Sequence, residues 1–158
     1  MRIVTATCIA LLACATLFSC KEPRIYAPVP AQYIVSANVG GYVSATAKAN
    51  YYRISDGHLD LDTTQLRYQT LVLTTTLAFD VPQPTAKYNE VADLRLNVPG
   101  ELLPHHNEHI GSGLIDSGVT DVTVMVDGHL YRWYFEADQS RSSAAVQQFV
   151  QRLRQYLD

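Results

Sequence analysis

Two Asp-Gly pairs govern what this chain can fold into. Asp56-Gly57 lies in RISDGHLDL and Asp127-Gly128 in VMVDGHLYRWYF, each between segments that alternate apolar and polar residues. Such a pair favours a two-residue hairpin loop, because both central residues of the matching turn take positive φ, which Gly adopts freely and Asp tolerates. The pairing that follows sets Val126 opposite His129, Val124 opposite Tyr131 and Val122 opposite Trp133, so one face of this hairpin becomes strongly apolar. In the other hairpin Arg53 falls opposite Asp60 as a cross-strand charge pair, with Ile54 opposite Leu59 and Tyr52 opposite Leu61. The tetrapeptide Asp-Gly-His-Leu occurs in both, but its flanks do not match, and shared turn chemistry explains it better than an internal repeat.

Further period-two segments extend the sheet. Val43, Ala45, Ala47 and Ala49 alternate with Tyr42, Ser44, Thr46 and Lys48, and a break near Asn50 is expected because this phase does not run into that of Tyr52 and Ile54. Leu71, Leu73, Thr75, Leu77 and Phe79 share one face of LVLTTTLAF, and Leu94, Leu96 and Val98 alternate with Asp93, Arg95 and Asn97. The period changes at the C-terminus, where Val146, Phe149, Val150, Leu153 and Leu157 fall at helical spacing, Ser140 or Ser142 can cap the start, and Arg152 and Arg154 suit the negative end of the dipole. The expected fold is α+β: an antiparallel sheet of about six or seven strands with one C-terminal amphipathic helix packed on it, a β-sandwich with a terminal helix being the alternative.

The N-terminus has a different character. Arg2 precedes an apolar run from Ile3 to Phe18 without a charged residue, the layout of an export signal. It is shorter than the roughly 20 residues of a spanning helix and lacks a basic cluster behind it. Leu17, Phe18, Ser19 and Cys20 resemble the lipobox of bacterial lipoproteins, although Phe18 stands where a small or β-branched residue is usual, as in lineages with a relaxed lipobox. That resemblance implies a signal peptide over residues 1–19, cleavage before Cys20 and a diacyl (palmitate-type) anchor on its thiol; an ordinary secretory signal with an incidental cysteine is the other reading. Cys8 and Cys14 would leave with the signal, and acylation would remove the exposed thiol that Cys20 otherwise presents in an oxidising compartment. Lys21 is not the aspartate that retains lipoproteins of enteric bacteria in the inner membrane, so the resemblance favours the outer membrane, with periplasmic and outward orientations both open. Residues 20–31, with Pro23, Pro28 and Pro30, are expected to form a semi-rigid tether, and 32–158 a single β-rich domain.

Composition narrows the partners. The chain carries a net charge of −3 with no clustered Lys or Arg, which argues against nucleic acid. One stretch resembles a site: LPHHNEHIGSG places His105, His106 and His109 beside Glu108, three of the five histidines. His105, Glu108 and His109 satisfy the H-x-x-E-H pattern of inverted zinc proteases, but Pro104 before and Gly111 after leave little helix to carry it. A loop that offers the three imidazoles and Glu108 to a transition metal is the weaker form of the same idea, against a solvated polar loop. Asp56, Asp60 and Asp62 have the wrong spacing for a calcium loop. No phosphate-cradling glycine loop or G-x-S-x-G elbow nominates a catalytic residue. Tyr52, Arg132 and Tyr134 are candidates for an exposed surface that meets an envelope protein or glycan. These residues together suggest a non-enzymatic envelope lipoprotein, a binding or structural module with no cofactor beyond its lipid; a metal-binding protein and a small hydrolase are the alternatives.

Overall fold

The computed structural model describes residues 26–39, 49–64, 77–112 and 118–157. Among the described residues seven strands build one sheet: β1 (Tyr33–Val39), β2 (Tyr52–Ser55), β3 (His58–Asp62), β4 (Phe79–Pro82), β5 (Glu108–Ile110), β6 (Val119–Val126) and β7 (His129–Glu136). Their order is β4-β3-β2-β1-β6-β7-β5. Neighbours are antiparallel except β5 and β7, which run parallel. Helices α1 (Thr85–Val91) and α2 (Ala144–Leu157), with the 3-10 helices Ala92–Leu96 and Gly100–His105, make the described residues an α+β fold.

Both hairpins have the expected register, down to Arg53 beside Asp60 and Val122 beside Trp133. Their turns differ. Asp127 and Gly128 both take positive φ, 49° and 79°, whereas in the first turn only Gly57 does, at 75°. Positive φ at the second central residue alone is the pattern of a type II turn, which matches the strand twist less well, and outside contacts hold it: Arg95 Nη2 donates to Asp56 at 2.8 Å and the Gly57 amide donates to the Tyr88 hydroxyl at 2.9 Å.

The larger core lies between the helices and one sheet face. Ile34, Ile54, Leu59, Val122, Val124, Trp133 and Phe135 meet Val91, Leu94, Leu102, Val146, Phe149, Val150 and Leu153, all buried. The four α2 side chains are the expected stripe, each contributing roughly 1.5–3 kcal/mol of apolar burial before entropy is subtracted; the Leu157 side chain lies outside the described residues. A smaller cluster, Val35, Ala37, Ala49, Tyr51 and Val119, occupies the other face.

Three expectations need correction. Residues 94–98 are not a strand: Ala92–Leu96 is a 3-10 helix that continues α1, and Val98 makes an isolated bridge to Val29. Leu94 and Val98 fit period two and helical spacing alike, but Val91 joins them in the core while Leu96 is 52% exposed, which is the helical choice. Second, the cap of α2 is Ser143, whose Oγ accepts the Val146 amide at 3.2 Å; Ser142 Oγ donates to Gln139 and the Ser140 amide donates to Asp138. Arg154 stands in the last turn of α2, as expected, and both arginines also bind neighbours outside the helix. Arg152 pairs with Asp93, and Arg154 donates to the carbonyls of Phe135, Glu136 and Ala137. Finally, the folded body begins by Tyr26, not at residue 32. The Val29 amide donates to Val98 O at 2.8 Å, Val98 returns a bond to Val29 O at 3.2 Å, and the Ala31 amide donates to Arg95 O at 2.7 Å. Pro28 and Pro30 suit this lead-in segment because they hold it extended and alternate with the residues whose amides bond.

The segments 43–48 and 71–76, read as strands, and Cys20 with residues 1–19 lie outside the described residues. Ala49 to Tyr51 belong to no strand and β2 starts at Tyr52; the segment before Ala49, and with it the expected break near Asn50, lies outside the described residues.

Candidate functional site

The histidine stretch is assembled from three unlike pieces. The 3-10 helix Gly100–His105 is pinned to the core by buried Leu102, whose carbonyl accepts the Trp133 indole N–H at 3.0 Å. Gly100 is required there, since a Cβ at that position would overlap the Ala27 carbonyl oxygen of the lead-in segment. His106 and Asn107 then turn the chain, with Asn107 at φ 62°, and the Asn107 amide donates to Arg132 O at 2.8 Å to start β5 alongside β7. A helical H-x-x-E-H arrangement is therefore absent: the two histidines of that pattern sit at the end of a 3-10 helix and in a strand.

Each imidazole has its own partner. His105 Nδ1 lies 2.9 Å from Glu108 Oε2, His106 Nδ1 accepts the Arg132 amide at 3.2 Å, and the His109 ring stacks on Tyr134 with centroids 4.9 Å apart. Alternation along β5 sends Glu108 and His109 to opposite sides of the strand. Among the described residues no group of three or more His, Cys, Asp or Glu side chains is placed to hold a metal ion. The acidic trio is likewise dispersed: Asp56 pairs with Arg95, Asp60 with Arg53, and Asp62 accepts the Ala78 amide and the Thr64 hydroxyl.

A cleft of about 380 Å³ does open beside this stretch. It is lined by His105, Glu108 and His109, by Arg141, Ser142 and Ser143 just ahead of α2, and by Glu101 and Tyr26. Ser143 is doubly engaged: its hydroxyl donates to Glu101 and accepts the Val146 amide. A second cleft, of about 330 Å³, lies on the other side of Tyr26 and is lined by Asp93, Asn97, Gln148 and Arg152.

The tyrosine–arginine surface has a different geometry from the one expected. Tyr52 is 8% exposed and packs in the helix-side core, with Lys87 Nζ over its ring at 4.6 Å. Arg132 and Tyr134 alternate with buried Trp133 and so belong to the opposite face; the three do not form one surface. On that face Arg132 donates through Nε and Nη2 to the two oxygens of Asp121, and the Tyr51 hydroxyl donates to Asp121 Oδ2 at 3.0 Å. The guanidinium also lies 5.0 Å from the Tyr134 ring centroid. Burial opposes the charge on Arg132, but the hydrogen bonds and charge of Asp121 outweigh it and hold the guanidinium protonated beyond its ordinary range. Burial pushes the Tyr134 phenol up, against the opposing pull of Arg132. This network was not among the sequence candidates, yet the hairpin register places Asp121 opposite Tyr134 and diagonal to Arg132.

No protein-family model, curated protein or solved structure matches this chain. No helix among the described residues is long and apolar enough to cross a membrane.

Proposed function

We propose that this protein is a non-enzymatic envelope lipoprotein, held at the outer membrane by an acylated Cys20, whose domain binds an envelope protein or glycan through the cleft between β5 and the start of α2. The observation that carries the binding part is the state of the cleft's polar groups. Glu101 is paired with Ser143 and His105 with Glu108, so the walls are a preorganised, mixed-charge surface. A hydrolase would need a serine joined to a base that a third group orients. Here the Ser143 hydroxyl caps a helix and bonds a glutamate, and the His105 ring is turned to a different carboxylate, which favours recognition over catalysis. The metal reading retains one point of support, the His105–Glu108 pair, since carboxylates commonly orient metal-binding imidazoles.

Fractionation tests the anchored location. Wild-type protein is expected to stay with outer-membrane vesicles through a high-salt wash, while Cys20→Ala appears in the soluble fraction. Release of the wild type by salt would sink the lipid anchor. Metal analysis of the purified chain separates the second reading: one equivalent of zinc, copper or nickel, lost in His105→Ala, would replace recognition with metal handling.

A further inference from the structure

We infer that the side of the domain carrying Tyr26 and the N-terminal half of α2 faces the lipid surface, and that the Arg132–Tyr134 sheet face looks away from it. The inference rests on the lipid-anchored reading proposed above and adds a direction to it. It comes from the length of chain between the anchor and the fold, and from where that chain ends.

The lead-in segment is bonded into the fold from Val29 and Ala31, and its residue Tyr26 lines both clefts. Only residues 21 to 25 separate Cys20 from Tyr26. Six Cα steps span at most about 20 Å even when fully extended. A compact domain of this size has a radius of gyration of about 14 Å and is roughly 35 Å across. The leash is thus shorter than the body it holds, and Tyr26 stays within about 20 Å of the headgroups. Tyr26 is 44% exposed and tyrosine suits the boundary between headgroups and water. Gln148, exposed on α2, lines the cleft next to Tyr26. Leu130, 41% exposed on β7, lies on the face that the helices do not cover. The bilayer surface accordingly lies on the Tyr26 side, and the envelope protein or glycan proposed above reaches its cleft from beside the headgroup layer.

The test uses the chain from Cys20 to Asp158, in which Cys20 is the only thiol because Cys8 and Cys14 precede it. Cys20 is coupled to a maleimide lipid in phosphatidylethanolamine–phosphatidylglycerol vesicles that carry a nitroxide on some headgroups. Quenching is then compared between Gln148→Trp and Leu130→Trp, with buried Trp133 as the constant background and an unchanged far-ultraviolet circular dichroism spectrum and urea midpoint as the check on folding. Severalfold stronger quenching at position 148 is expected. Inserting a flexible Gly-Ser stretch of about twenty residues before Tyr26 should bring the two positions close together, because the leash would then exceed the body. Equal quenching with the native leash, or stronger quenching at position 130, overturns the proposed orientation. Since the lipid is attached chemically, this result is independent of acylation in the cell, which the native protein's mass reports separately.

Discussion

Arg132 grips both carboxylate oxygens of Asp121, through Nε at 2.9 Å and Nη2 at 2.5 Å, at a point on β6 where Asp121 is 2% exposed. A pair removed from water in this way holds only if its geometry is good and its remaining lone pairs are used, and the Tyr51 hydroxyl uses one of them. Asp121→Ala leaves a charged guanidinium without its partner and should cost about 3–5 kcal/mol. Replacing both residues together, as Asp121→Leu with Arg132→Met, should cost much less than the single change. Urea denaturation of the set checks this, and a double variant as unstable as Asp121→Ala would contradict the assignment.

Tyr134 gives a pH signature. Burial raises its folded pKa above the ordinary value of 10.0. Its stabilising contribution is therefore complete below about 10 and is lost as pH rises from there through the raised folded value. Phenolate absorbance during an alkaline titration should contain a late component that Tyr134→Phe removes, and the wild type should lose stability in that window more steeply than the variant.

At the acid end the Asp93–Arg152 pair behaves in the opposite sense. Hydrogen bonds from Arg152 hold the Asp93 carboxyl below its ordinary 3.8, partly opposed by desolvation. Its contribution is present above the unfolded value and disappears as pH falls through the depressed folded value. Both side chains are substantially exposed, so solvent keeps the effect small. Melting curves of wild type and Asp93→Asn should differ at neutral pH and converge in acid.

Ser143 caps α2, and Ser143→Ala should cost about 1 kcal/mol, lowering the melting temperature by several degrees. Ser140→Ala should cost less, because its side chain makes no comparable bond to the first turn among the described residues. Equal losses at the two positions would argue for another start to the helix.

Gly100→Ala places a methyl group against the Ala27 carbonyl oxygen. The expected result is local: faster hydrogen exchange at the Val29 and Ala31 amides, with the sheet amides of β6 little changed. Unaltered exchange at Val29 would mean that the lead-in segment is held by other contacts.

What the sequence made legible follows the range of the interactions. Each hairpin register comes from two turn residues and their immediate flanks, and the α2 stripe from positions within one helix, of which Val146, Phe149, Val150 and Leu153 are buried as expected. Leu94 and Val98 were misread because two periods share them, and only the burial of Val91 chooses between the two. The lead-in segment carries no periodicity, so its bonds to Val98 and Arg95 leave no local mark. In the cleft, His105 and Glu108 are three residues apart and could be paired from sequence, while Glu101 and Ser143 meet across 42 positions only once α2 has docked. Asp121 carries a readable signal: a carboxylate in the otherwise uncharged strand VTDVTVMV, diagonal to an arginine in the hairpin register.

Intact mass of the protein extracted from its native membrane bears most directly on the account. A chain that begins at Cys20 and carries the added mass of its acyl groups, with that species missing from Cys20→Ala, is the expected result. A chain cut elsewhere, or one with a free thiol at Cys20, would contradict the anchored reading and remove the leash that orients the domain.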